Sequence, residues 1–209
     1  LPRQEKMEAA MLALDKGWFD FSVNASIYAK AWSFLSLRFP TPMLSYYSRR
    51  SRETGVPLSY LYAISRQESA LNPFARSPVG AAGLMQLMPA TASNIAGKCG
   101  IAYSGKDDLF DPMTNVSFGS CYLMQLLEKY GGNRILASAA YNAGPGRVTR
   151  WTDGDGAGVA ADIWVESIPF KETRNYVQNV LVYDAIYQHF INRERQPVFL
   201  SPSELGHRY

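Results

Sequence analysis

The sequence predicts a mainly α-helical fold. Of its 209 residues, 47% are apolar and 19% are charged, a balance typical of a folded globular domain rather than a disordered chain. Apolar residues recur at helical spacing in most segments, whereas alternation of Val, Ile or Thr with polar residues never persists over the length of a strand. We therefore expect helices throughout, with at most a short hairpin in the loops.

Two helices are predicted near the start of the chain, over residues 5–16 and 19–37. The first is expected to bury a face made of Met7, Ala10, Met11 and Leu14, and the second a face made of Phe21, Ala25, Tyr28, Ala29, Trp32 and Leu35. Because Pro40 and Pro42 break the helical pattern, we place a boundary there, between a helical linker over residues 1–42 and a domain over 43–209.

Prolines and capping residues predict where the later helices begin. A proline fits the first turn of a helix, and Pro57, Pro89 and Pro112 each precede an apolar helical pattern. Glycines at 144 and 146 around Pro145 predict a helix stop, and they lack the spacing of a phosphate-binding loop. The expected helices cover residues 43–53, 57–71, 89–98, 112–127, 133–142 and 170–192.

Aspartate clusters do not predict a metal site. Asp107, Asp108 and Asp111 lie close together in the sequence, as metal ligands often do. However, Asp111 before Pro112 is the pattern of a helix N-cap, and we favour this interpretation over a metal site. Residues 153–157 resemble the opening of a calcium loop, but Ala157 stands where an oxygen ligand is needed. We expect a glycine loop there, no metal, and no other cofactor.

Composition excludes several classes of partner. The formal charge is only +3, and no Lys/Arg run with interleaved aromatic residues predicts a nucleic-acid interface. No stretch approaches the roughly 18 apolar residues of a membrane span. Since the sequence begins at Leu1 without a signal peptide, we expect a processed product or a piece of a longer protein. For Cys99 and Cys121, the pattern leaves open whether they form a disulfide or remain free thiols.

Glu68 is the residue that most strongly indicates catalysis. It lies on the apolar stripe of a predicted helix, with Leu61, Ile64 and Ser65 at helical spacing before it. Burial raises the pKa of a carboxyl group, which makes it a proton donor near neutral pH. The alternative is a solvated glutamate that pairs with Arg66 or Arg76, and the helical pattern alone leaves both open.

The segment after Glu68 favours the catalytic alternative. Pro73, Pro78, Gly80 and Gly83 restrict its backbone, and constrained loops often carry function. A lone acid, a loop bearing the Gln86 amide and a later Tyr-Asn pair suit cleavage of a sugar chain. Glycosidases usually need a second carboxylate, which this stretch lacks, unless the N-acetyl group of the substrate takes that part.

Several ordered motifs resemble those of the soluble lytic transglycosylase family, and the resemblance covers residues 44–192. They are ES at 68–69, SPVG at 77–80, GLMQLMP at 83–89, AYNAG at 140–144, VESIPF at 165–170 and ETRNYV at 172–177. The helices at the start and the closing residues 204–209 resemble the large, ring-forming periplasmic members. The resemblance implies a lysozyme-like helical domain with a glycan-binding cleft, preceded by linker helices.

The same resemblance implies an activity. The expected reaction is cleavage of the β-1,4 bond between N-acetylmuramic acid and N-acetylglucosamine in peptidoglycan, which gives a 1,6-anhydro product in the periplasm. Glu68 would be the sole acid and base. The resemblance suggests an exo-acting enzyme, although the sequence leaves open whether cleavage starts at strand ends. A hydrolase of the same fold and an inactive peptidoglycan-binding module are the alternatives.

The matched positions also imply roles in substrate binding. Glycan strands of peptidoglycan are the expected partner. Ser77 and Gln86 would orient the sugar and its N-acetyl group, and Met88 would form an apolar wall. The remaining positions are Tyr141 and Asn142, which would hold the acid and the sugar ring, and the further cleft residues Glu166 and Tyr176.

Overall fold

The computed structural model of the chain describes residues 1–153, 158–193 and 196–209. The regular elements of that part are α-helices and one short 3₁₀ helix (Lys106–Phe110). They are α1 (Arg3–Asp15), α2 (Phe19–Tyr28), α3 (Leu35–Arg38), α4 (Leu44–Thr54), α5 (Leu58–Ser69), α6 (Pro89–Cys99), α7 (Pro112–Lys129), α8 (Arg134–Ala143), α9 (Pro145–Thr152), α10 (Ala161–Ser167), α11 (Lys171–Asn192) and α12 (Pro202–Gly206).

Side-chain caps start two central helices, and the sequence predicts the first of them. The Asp111 carboxylate accepts a hydrogen bond from the Thr114 N–H at 2.7 Å, at the start of α7. Asn133 caps α8 in the same way, accepting from the Leu136 N–H at 3.1 Å. The aspartate pattern is therefore a helix cap, and the described residues contain no group of His, Cys, Asp or Glu side chains arranged to hold a metal ion.

The first two helices pack largely through small side chains, so the predicted apolar faces are confirmed only in part. Ala10 and Ala13 are buried on α1, and Ser22, Val23 and Ser26 are buried on α2. Of the predicted faces, Ala10 and Ala29 are buried, whereas the bulky residues Met11, Phe21, Tyr28 and Trp32 are exposed. Small residues let α1 and α2 approach closely, and the Ser22 hydroxyl finds a buried partner in the Leu37 carbonyl at 3.2 Å.

The single helix predicted over residues 19–37 is also wrong. α2 ends at Tyr28, and Lys30 adopts a left-handed conformation with φ of 51° before the short α3 begins at Leu35. Further along, Gly144 ends α8 as predicted, but Pro145 immediately starts α9, which the sequence analysis missed. The predicted glycine loop falls largely on residues 154–157, which lie outside the described residues.

Two compact units divide the described chain. One contains residues 1–50 and 64–119, and the other contains 51–63 and 120–209. In the second unit, α8 packs against α9 and α11, around a core that includes Trp164, Val177 and Tyr209. The buried ring of Tyr209 lies 5.3 Å from that of Trp164, and its hydroxyl accepts a hydrogen bond from the Asn133 amide at 2.8 Å. Tyr209 therefore belongs to the core of the second unit.

The two alternatives for the cysteines are resolved. Cys99 and Cys121 are both disulfide-bonded, and the chain has no free thiol. Among the described residues, we find no helix with the length and apolar character required to cross a bilayer.

Candidate active site

Glu68 lies in the last turn of α5, on the stripe that the sequence predicts. Leu61, Ile64 and Ser65 on that stripe are fully buried, whereas Glu68 itself is half-buried. The expectation of an enclosed carboxyl group is therefore corrected, since Glu68 retains contact with solvent. A position at the end of a buried stripe supports the side chain with a rigid helix and still leaves it accessible to a ligand.

Backbone strain ends α5 directly after Glu68. The helix stops at Ser69, earlier than the break predicted at Pro73, because Ala70 and Leu71 both adopt positive φ angles of 53° and 71°. Residues other than glycine rarely adopt this conformation, and strain of this kind clusters at functional sites. The Ser69 hydroxyl donates to the Leu84 carbonyl at 2.8 Å and so connects the strained end of the helix to the following loop.

The loop from residue 72 to 88 folds back on itself through two isolated antiparallel bridges. They pair Arg76 with Ala82 and Ala82 with Leu87, which is consistent with the prediction of at most a short hairpin in the loops. Ser77 stabilises the first turn, since its hydroxyl oxygen accepts a hydrogen bond from the Ala81 N–H at 2.9 Å. The predicted binding residue Ser77 thus also has a role within the loop.

Gln86 has a fixed amide orientation. Its Nε2 group donates to the carbonyls of Ala75 and Gly83, at 3.1 and 3.0 Å. Both amide hydrogens are thereby used, so the oxygen Oε1 is the group that Gln86 can offer to a ligand. Met88 lies two residues on, where α6 begins, with 37% of its surface exposed.

The other predicted residues lie in the second unit, on α8, α10 and α11. The half-buried ring of Tyr141 packs against Tyr122, with 5.4 Å between the ring centres. Next to it, the Asn142 oxygen accepts a hydrogen bond from the Thr173 hydroxyl at 2.6 Å, and its Nδ2 faces a carboxylate oxygen of Glu172 at 3.4 Å. Because Thr173 is almost fully buried, it holds the Asn142 amide in one orientation.

Glu166 and Tyr176 occupy different environments. Glu166 is exposed on α10, accepts a hydrogen bond from the Gln178 amide at 2.7 Å, and lies 3.8 Å from the Arg174 guanidinium. Tyr176 is buried on α11, with 3% of its surface exposed. Glu166 is therefore accessible to a ligand, whereas Tyr176 packs inside its unit.

The structure thus groups the predicted residues into two sets. Glu68, Ser77, Gln86 and Met88 lie along α5 and the following loop in one unit, and the other four lie on α8, α10 and α11. Sequence reasoning missed supporting residues in both sets. Ser69 and Thr173 stand inside the family motifs, but nothing in the sequence marks Asn115, whose contacts are with residues distant along the chain.

The chain matches known protein families along most of its length. The family described as "Transglycosylase SLT domain" matches residues 45–163. The chain belongs to the soluble lytic transglycosylase family. Two further descriptions from the same family match its ends: the helical domain at residues 167–196 and the L domain of the murein enzyme at residues 1–35.

Curated members of the family resemble the whole chain. The soluble lytic murein transglycosylase of Escherichia coli is 45% identical over 208 residues, which cover 99% of this chain and 32% of that protein. A counterpart described as putative in Haemophilus influenzae is 44% identical over 204 residues, 98% of this chain and 34% of that protein. The chain therefore spans about a third of the length of these family members.

Solved structures of the family share the fold. The 70 kDa soluble lytic transglycosylase of Escherichia coli superposes with a TM-score of 0.95 at 45% identity, covering 100% of this chain and 34% of that one. An inactive mutant of the Pseudomonas aeruginosa enzyme, with a glutamate changed to glutamine, gives a TM-score of 0.92 at 42% identity, covering 100% and 33%. These matches confirm the predicted fold class, a mainly helical, lysozyme-like domain.

Proposed function

We propose that this chain is the catalytic part of a peptidoglycan lytic transglycosylase, with Glu68 as its sole acid and base. The observation that carries the proposal is the position of Glu68, half-buried on a buried helical stripe beside a loop of fixed geometry. Family membership supports the reaction class, since the related proteins are named as murein transglycosylases. The solved relative that was inactivated by replacing one glutamate supports a single essential acid, and we assign that role here to Glu68.

The reaction needs one group that first gives and then takes a proton. Glu68 protonates O4 of the leaving N-acetylglucosamine as the C1–O4 bond of N-acetylmuramic acid breaks. The resulting carboxylate then removes the proton of the C6 hydroxyl while O6 bonds to C1, which closes the 1,6-anhydro ring. Atoms balance without water, and Glu68 ends protonated as it began. The N-acetyl oxygen of the substrate stabilises the positive charge at C1 between the two steps.

The surrounding residues suit binding of an acetylated sugar. The Gln86 oxygen Oε1 is an acceptor for an N-acetyl N–H, and Met88 offers an apolar wall. The Ser77 hydroxyl donates to the sugar while its oxygen accepts from the loop. In the second unit, we assign Tyr141, Asn142 and Glu166 to substrate binding, and Tyr176 to their support from within that unit.

We further propose how this chain is organised and where it acts. Residues 1–42 form a helical linker to a superhelical region, and residues 43–209 form the catalytic domain. The enzyme acts on glycan strands in the periplasm, from the strand ends. Support for these assignments comes from the family matches along the chain, including the L-domain match at residues 1–35.

The decisive experiment is digestion of purified peptidoglycan sacculi by the wild-type protein and by Glu68→Gln. Wild-type products are expected to be one water lighter than hydrolytic muropeptides by mass spectrometry. Glu68→Gln keeps the shape of the side chain and removes the proton, so turnover should fall about a thousandfold or more with the fold retained. Glu53→Gln, which changes an exposed glutamate on α4, is the matched control and should keep wild-type activity.

Two results would contradict the proposal. Full activity of Glu68→Gln would exclude Glu68 as the acid. Products with reducing ends alone would instead assign the chain to hydrolases of the same fold, in which water replaces the C6 hydroxyl as the nucleophile.

A further inference from the structure

Asn115 is a fully buried residue of α7, and its side chain binds the backbone of the loop after Glu68 (residues 72–88). Its amide oxygen accepts a hydrogen bond from the Met85 N–H at 2.7 Å. Its amide nitrogen donates to the carbonyls of Ala82 and Leu109, both at 2.8 Å. The side chain therefore uses both N–H donors and its oxygen on backbone groups, which fixes its orientation and leaves none of its hydrogens for a ligand.

Two glycines bring α7 and the loop into direct contact around Asn115. Gly83 adopts a φ of 78°, and a methyl group there would lie 2.1 Å from the Leu109 carbonyl oxygen and 2.2 Å from the Asn115 amide nitrogen. One turn along α7, a methyl group at Gly119 would lie 2.3 Å from the Met85 sulfur. Neither position has room for a side chain, so the loop is packed against α7 at van der Waals distance.

The anchored stretch carries the predicted sugar-binding groups. Asn115 holds Ala82 and Met85, and Gln86 follows Met85 directly. The Ser69 hydroxyl binds the Leu84 carbonyl between the two anchored residues. A displacement of this backbone would therefore move the Gln86 oxygen that is available to a ligand, whereas Glu68 remains held by α5.

We propose that Asn115 is a positioning residue for glycan binding, which acts through the backbone of residues 82–86 without touching the substrate. This inference rests on the proposed function, because it assigns to Asn115 the placement of the Gln86 acceptor and the Met88 wall. Loss of the anchor should weaken substrate binding more than it slows the chemical step, since the acid stays in place.

Kinetics on soluble, uncrosslinked glycan strands test this proposal. Asn115→Leu should raise KM about tenfold and change kcat by less than about threefold. Asn115→Asp keeps the acceptor for the Met85 N–H but places a carboxylate beside two carbonyl oxygens, which raises the pKa of the new carboxyl group. Its protonated form donates one of the two lost hydrogen bonds, so its KM should approach the wild-type value as pH falls. Asn115→Leu should show no such recovery of KM at low pH. A purely structural defect would raise KM in both variants without making it depend on pH in Asn115→Asp alone.

If Asn115→Leu does not fold, variants of two loop glycines test the same proposal. Gly83→Ala places a methyl group inside the anchor and should raise KM as Asn115→Leu does. Gly80→Ala is the matched control, since Gly80 also has a positive φ, 101°, but has open space around it; its effect should be smaller. Asn133→Asp controls for the chemical change, because Asn133 is a buried residue that contacts Tyr209 rather than this loop.

The outcomes separate the two proposals. If the wild-type protein does not cleave the strands, the proposed function fails. If it cleaves them, and folded Asn115→Leu, Asn115→Asp and Gly83→Ala all keep the wild-type KM at every pH, the positioning role of Asn115 is overturned.

Discussion

Arg134 and Glu204 lie 70 residues apart in the sequence and form a two-pronged ion pair inside the second unit. The Arg134 guanidinium binds the two carboxylate oxygens of Glu204 at 2.9 and 2.7 Å, and the Arg134 backbone N–H binds the same carboxylate at 2.9 Å. Arg134 also pairs with the buried Asp184. Because Arg134 is the first residue of α8, this pair attaches the C-terminal segment to the helix that carries Tyr141 and Asn142.

Glu204 is expected to make the protein sensitive to acid. Burial opposes its ionisation, but hydrogen bonds from Arg134 and from the Ser201 N–H outweigh burial and lower the pKa of Glu204. A lowered folded-state pKa contributes stability above the unfolded pKa of about 4.3, and that stability is lost as pH falls further. The contribution of Asp184 has the opposite sign, because burial raises its pKa in spite of Arg134.

Glu204→Gln tests this pair. We expect it to lower the free energy of unfolding by about 3 kcal/mol at pH 7, since it removes one partner of a buried pair. The difference from the wild-type protein should shrink as pH falls below about 4.3, as measured by urea denaturation. The exposed Glu128→Gln is the control and should stay within about 0.5 kcal/mol of wild type. A constant difference at all pH values would contradict the assignment.

Thr173 is expected to control activity through Asn142. Thr173→Val keeps the buried volume but removes the hydroxyl that binds the Asn142 oxygen at 2.6 Å, so the amide is free to turn. We expect kcat/KM on glycan strands to fall about tenfold, the equivalent of about 1.4 kcal/mol. Thr173→Ser restores the donor and should recover most of the activity. Thr149→Val, which removes an exposed hydroxyl on α9, is the control and should have no effect. Equal losses of activity in Thr173→Val and Thr173→Ser would argue against a role of the Thr173 hydroxyl in orienting Asn142.

Gly119 and Gly97 are helical glycines that should respond in opposite ways to alanine. Gly119→Ala forces a methyl group against the Met85 side chain and should cost about 1–3 kcal/mol of stability. Gly97 on α6 has open space around it, so Gly97→Ala should stabilise the protein by about 0.5–1 kcal/mol. Thermal unfolding of the two variants measures both effects, and a neutral Gly119→Ala would show that the contact with Met85 is loose.

Local chemistry explains which features could be predicted from the sequence. Asp111 caps α7 because a short side-chain oxygen reaches a backbone N–H three residues ahead. The stripe that leads to Glu68 depends on helical periodicity, which is equally local. The motif residues Glu68, Gln86 and Asn142 follow from the order and identity of residues along the chain, which do not depend on how the helices pack.

Contacts between distant residues were decided only by the tertiary structure. Asn115 looks like any polar helix residue until α7 meets the loop some 30 positions earlier in the chain. The small faces of α1 and α2 are buried because the two helices approach closely, whereas periodicity alone also predicted burial of bulky residues that are exposed. The sequence by itself thus determined most of the helices and the cap of α7, and it predicted Glu68 as the acid. The tertiary structure decided which faces are buried and how the amides of Gln86 and Asn142 are oriented, because those depend on partners that only folding brings within hydrogen-bonding distance.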